Sequence, residues 1–82
     1  MAWTSGSGTI APGASQDGWF SWGGNGDVGP QIIQAEPLAA SGELTTTAIA
    51  ESLDANGHIT YHATVRNDGA NTVAFQWRGG GF

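Results

Sequence analysis

The chain has 82 residues, seven carboxylates, two arginines, no lysine and a formal net charge of −5. That length holds one core and no second domain, and the absence of cysteine excludes disulfide staples and thiolate metal sites. The acidity excludes nucleic-acid backbones and anionic membranes as partners, because both need clustered cations.

In chain order, Met1 to Gly8 is Gly/Ser-rich around Trp3 and reads as a flexible N-terminal arm or a short edge strand. Residues 9–82 read as a single β-sandwich domain. Thr9 to Ala11 forms a short strand ended by the turn pair Pro12-Gly13. Gly18-Trp19-Phe20-Ser21-Trp22 is a strand by its aromatic content, with Phe20 and Trp22 on one face and Trp19 on the other. Gly23 to Pro30 is a glycine-rich loop. Gln31 to Glu36 is a strand stopped by Pro37, and Leu38 to Gly42 connects onward.

Glu43 to Leu53 permits a helical turn, but Thr45-Thr46-Thr47 and the following Asp54-Ala55-Asn56-Gly57 turn favour a strand. A hairpin about that turn, pairing residues whose numbers sum to 111 or 113, puts Thr46, Ala48 and Ala50 on the face of Tyr61 and Val65. Ile59, Tyr61, Ala63 and Val65 then alternate, Asn67 to Asn71 turns the chain, and Val73, Phe75 and Trp77 alternate again. This period of two predicts a half-buried antiparallel hairpin from His58 onward. Its other face carries Thr60, His62, Thr64, Gln76 and Arg78, with Glu51 near enough for a cross-strand ion pair to Arg78. Phe20-Ser21-Trp22 and Phe75-Gln76-Trp77 echo each other, as two strands filling equivalent places in facing sheets would.

The fold class is therefore all-β: a small antiparallel β-sandwich of six or seven short strands. Leu, Ile, Val and Phe total only 14 residues, but four Trp and one Tyr restore enough apolar area for folding. A core this small is marginal without cross-links, and burial in an oligomer interface is the remaining supplement.

Ile59-Thr60-Tyr61-His62-Ala63-Thr64-Val65-Arg66-Asn67-Asp68-Gly69 resembles a recurring pattern in immunoglobulin-like accessory domains of secreted bacterial proteins. In that pattern a strand with Tyr two places after an apolar residue ends in Val-x-Asn-x-Gly. The Pro12-Gly13 turn ahead of an aromatic strand is similar to turns of the same family. The resemblance covers about a third of the chain and implies an Ig-like β-sandwich without catalytic residues.

The candidates for chemistry are few. No Gly-x-Ser-x-Gly elbow holds a serine nucleophile. His58 and His62 lie about 13 Å apart along a strand, too far to share a metal ion. Asn25 and Asp27 loosely match the start of a calcium loop, but the distal Glu is missing. Asp17, Asp27, Asp54 and Asp68 all fall at turns, where aspartate is expected. No enzyme, cofactor or metal site is implied.

Tryptophan carries the functional signal. Trp19 with Asn25 and Asp27 has the mixture of aromatic face and polar groups that binds neutral glycans. Trp3, Trp19 and the terminal Phe82, on its tether of Gly79-Gly80-Gly81, are candidate contacts between copies. With no lysine to guard the sheet edges, the reading is a non-catalytic module that self-associates into a homo-oligomer, with a carbohydrate-binding domain as the alternative. With 11% charged residues, the surface fits an extracellular or exported protein; the N-terminus lacks a signal-peptide pattern, and no apolar run reaches the ~20 residues of a membrane span.

Overall fold

The computed structural model describes residues 2–81. They form an all-β fold of six antiparallel strands: β1 (Ala2–Ile10), β2 (Ser15–Phe20), β3 (Gln31–Pro37), β4 (Leu44–Leu53), β5 (Ile59–Asn67) and β6 (Val73–Gly81). Two three-stranded sheets face each other, one ordered β1-β6-β3 and the other β2-β5-β4. First pairs with last and second with second-to-last. This nested winding, carried to eight strands, makes a jelly roll.

Residues 2–8 belong to β1 and pair along β6, from Ala2 opposite Gly80 to Gly8 opposite Phe75. Of the two readings of this stretch, flexible arm or edge strand, the strand at a sheet edge is the one that forms. Its Gly/Ser content obscured the strand signal, because the apolar area that holds it comes from Trp3 alone.

The alternation from Ile59 to Trp77 marks the core as expected. Tyr61, Ala63, Val65, Val73, Phe75 and Trp77 are all buried, together with Ile10, Phe20, Ile33 and Ala35. The predicted pairing between the two runs does not form. β5 and β6 lie in opposite sheets, so Asn67 to Thr72 arches across the sandwich and both runs point inward from either side. A period of two reports which face is buried, and it is silent on which strand is the neighbour.

Asn67 explains the arch. Its buried side chain donates from Nδ2 to the carbonyls of Ile10 (2.9 Å) and Asn71 (2.8 Å), and its Oδ1 accepts from the Gly69 amide (2.9 Å). Its backbone pairs with Ala14 O and Gly13 N. One side chain thus ties the β1–β2 turn to the β5–β6 arch.

The hairpin predicted between residues 44–53 and 59–67 is present, with a different parity. The Gly57 amide bonds Asp54 O, Asp54 N bonds His58 O, and Gly57 sits at φ +80°. This three-residue loop closes on a left-handed glycine. Leu53 therefore faces Ile59 and Glu51 faces Tyr61, which puts Ile49 and Glu51 on the inner face and Ala48 and Ala50 on the outer one. A bulge between Thr46 and Ala48 restores the expected pairing of Thr46 with Val65. Glu51 and Arg78 stand in different sheets, so the ion pair expected between them has no cross-strand basis.

Six aromatic rings run through the core in edge-to-face or tilted contact: Phe75, Trp77, Phe20, Trp3, Trp22 and Tyr61, with centroids 5.2–5.7 Å apart. Each such contact contributes about 0.5–1.5 kcal/mol beyond area burial. The aromatics supply what the scarce aliphatics cannot.

Candidate functional site

β4 is ten residues long, while β3, the strand of the other sheet nearest to it, has seven. The two sheets meet at the start of β4, where Ala35 N donates to Thr46 Oγ1 (3.3 Å). Beyond the bulge, Ala48 to Leu53 extends past this cover and every residue is exposed. Ile49 and Leu53 remain 49% and 69% exposed on the inner face, where a sandwich normally buries its apolar side chains. Among the described residues this segment pairs only with β5, so its second backbone edge is open. The segment holds one charge, Glu51.

A cleft of about 460 Å³ lies against this overhang. Ile49, Glu51, Ile59 and Tyr61 line it from the hairpin, and Asp27 and Gln31 line it from the glycine-rich loop side. Tyr61 fixes the loop. Its hydroxyl donates to Gly29 O (2.8 Å) and accepts from Val28 N (3.1 Å), while Ile59 N donates to Asn25 O (2.8 Å). The Asp27 carboxylate accepts from Gly29 N (3.1 Å), the self-capping expected of an aspartate in a turn.

Trp19, Asn25 and Asp27 do not converge on one site. Trp19 projects from the outer face of β2, 64% exposed, and stacks on His62, its partner across β5, at 4.5 Å and 18°. Asp27 lines the cleft on the inner side of the same sheet. Asn25 contributes its backbone carbonyl to the loop anchor.

Trp3 differs from the expectation of an exposed contact. It is partly buried against Phe20 and Trp22, and its Nε1 donates to Gln31 Oε1 (2.9 Å). An aromatic in a Gly/Ser-rich segment looked accessible because its neighbours bury nothing. Phe82 lies outside the described residues. His58 is exposed near Asp54, and among the described residues no group of three or more His, Asp or Glu is placed to hold a metal ion.

Sequence reasoning missed Ile49 and Leu53 as surface residues. Their signal was the mismatch in strand length, readable only once the order of strands is known. Comparison with known proteins finds no family model, curated protein or solved structure that matches the chain.

Proposed function

We propose that this chain is a non-catalytic structural module that self-associates, with β4 of one copy pairing antiparallel to β4 of a second. The observation that carries the reading is the open, two-face-exposed overhang from Ala48 to Leu53. An uncovered apolar edge is a template for another strand, and a second copy offers the same template about a two-fold axis. Pairing two such edges would join two three-stranded sheets into one of six strands and shield Ile49 and Leu53. The likeness of Ile59 to Gly69 to immunoglobulin-like accessory domains supports a role without catalysis.

The test is the mass in solution across a dilution series, by sedimentation or light scattering. The native chain is expected above 8.4 kDa at high micromolar concentration. The double variant I49E/L53E is expected to stay monomeric with unchanged far-UV circular dichroism. A native monomer at that concentration removes the proposal.

A second reading has one observation in its favour. The Trp19 indole, propped by His62, is a flat and accessible platform, suited to the C–H face of a neutral sugar. In this reading Asn25 and Asp27 shape the loop and do not touch the sugar. Glycan-array binding that disappears in Trp19→Ala supports it, and no sugar-dependent signal dismisses it.

A further inference from the structure

We propose that Asn56, in the loop between β4 and β5, is a site of spontaneous deamidation in the folded chain, while Asn25 is protected by its packing. The proposal does not depend on self-association, because it concerns only the loop that closes the β4–β5 hairpin.

The reaction is an intramolecular acyl transfer. The Gly57 nitrogen gives its proton to water and attacks Asn56 Cγ. The N–Cγ bond forms, the Cγ–Nδ2 bond breaks, and ammonia leaves with the proton. A cyclic imide remains, and water then opens it at either carbonyl. Breaking N–Cγ gives aspartate in the ordinary chain. Breaking the former peptide bond gives isoaspartate, joined to Gly57 through Cγ and one backbone atom longer.

The chain has four asparagines, and two of them, Asn25 and Asn56, precede glycine. Glycine leaves the attacking nitrogen uncrowded, because no Cβ stands beside it. Attack also requires the peptide unit between the two residues to swing about the Asn Cα–C bond. That unit is planar, so its C=O and N–H turn together and every bond they hold resists the swing.

At Asn56 little resists. Residues 54–58 are all exposed, and nothing lies near the position a Cβ of Gly57 would take. Gly57 N donates to Asp54 O (3.1 Å), and in the open loop water replaces that bond at small net cost. The Asp54 carboxylate accepts from Asn56 N (2.8 Å) and His58 N (2.9 Å). Among the described residues these bonds leave the Asn56 side-chain amide unengaged and able to turn toward Gly57.

Asn25 has the same neighbour in the opposite setting. Its carbonyl accepts from Ile59 N (2.8 Å), and the Gly26 amide donates to Gly23 O (3.3 Å). Gly26 is buried, and a Cβ there would lie 2.5 Å from Ile59 O. Swinging this unit breaks both bonds against the start of β5. At Asn67 and Asn71 the side chains of Asp68 and Thr72 crowd the nitrogen, and the Asn67 amide already donates to Ile10 O and Asn71 O.

Either product adds a carboxylate beside Asp54, in a chain already at −5. Isoaspartate also lengthens the loop that sets Leu53 opposite Ile59, and that end rung then opens more readily.

The test ages the native chain and a guanidinium-unfolded sample side by side at mildly alkaline pH, with peptide mapping by mass spectrometry and isoaspartate detection. In the native chain, conversion at Asn56 is expected to outpace that at Asn25 by about tenfold or more, since lost buried bonds raise the barrier at Asn25 by that factor. Unfolding is expected to bring the two sites to comparable rates. Asn56→Gln, which disfavours the ring, is expected to leave the loop peptide unmodified. A native chain in which Asn25 converts as fast as Asn56 overturns the proposal. So does an Asn56 that stays intact when folded and converts only when unfolded. The comparison within the native chain decides even if the variant fails to fold.

Discussion

The indole of Trp3 lies over Gly79, its direct partner across β1 and β6, in the space a side chain at residue 79 would occupy. Trp77 fills the corresponding space over Gly18 from the facing sheet, where an added Cβ would meet the indole at 2.7 Å. Aromatic rings laid over strand glycines recover the packing that glycine lacks. Gly79→Ala is therefore expected to destabilise by about 1–3 kcal/mol through overpacking, measured by urea unfolding of the monomer. In a Trp3→Ala background the same substitution should cost far less, because the clash is gone and the two sites are coupled. Equal costs in both backgrounds would show that Trp3 is not what fills the space.

Tyr61 anchors the glycine-rich loop through one hydroxyl that both donates and accepts. Tyr61→Phe keeps the ring contact with Trp22 and strands Val28 N and Gly29 O. The expected loss is about 1–3 kcal/mol, with faster amide exchange at Val28. A Val28 amide that exchanges as in the native chain would mean the loop is held by other contacts.

Among the described residues Asn67 is the one buried polar side chain, and three hydrogen bonds converge on it. Asn67→Ala leaves Ile10 O, Asn71 O and Gly69 N without their partner, and about 2–3 kcal/mol of stability is expected to go with them. Asn67→Asp separates the roles, since it keeps the acceptor toward Gly69 and loses both donors. It should be as damaging as alanine if the carbonyl ties between β1 and the arch dominate.

Much of the fold was legible from alternation and turn chemistry. Tyr61, Val65, Phe75 and Trp77 fall in the core because period two marks a buried face whatever strand lies alongside. Partnership was not legible. Asn67 to Asn71 reads equally well as a tight hairpin turn or as an arch, and the choice rests on bonds from Asn67 to Ile10, 57 positions away. The parity of the β4–β5 hairpin hung on a single residue, Gly57, whose left-handed conformation lengthens the loop by one and exchanges the faces of Ile49 and Ala50. The overhang of β4 follows from strand order, so it could not be read before the order was known.

Two exposed turns set the acid response. The Asp68 carboxyl is held below its ordinary value of 3.8 by the Arg66 guanidinium, with the Thr45 hydroxyl adding to it. The Asp54 carboxyl is also held below 3.8, chiefly by the backbone amide of His58, with the Asn56 amide and the His58 charge behind it. A carboxyl whose folded value is depressed contributes stability that is present above its unfolded value and is lost as pH falls through the folded one. Stability is thus expected to hold from neutrality down to about pH 4 and to decline below it, more shallowly in Asp54→Asn and Asp68→Asn. Because the leading cause at Asp54 is the amide and not the imidazole, which stands 3.9 Å away in solvent, His58→Ala should leave the Asp54 carboxyl depressed. Carboxyl-detected NMR titration of that variant checks the point. A return of Asp54 to 3.8 would assign its depression to the imidazole charge instead.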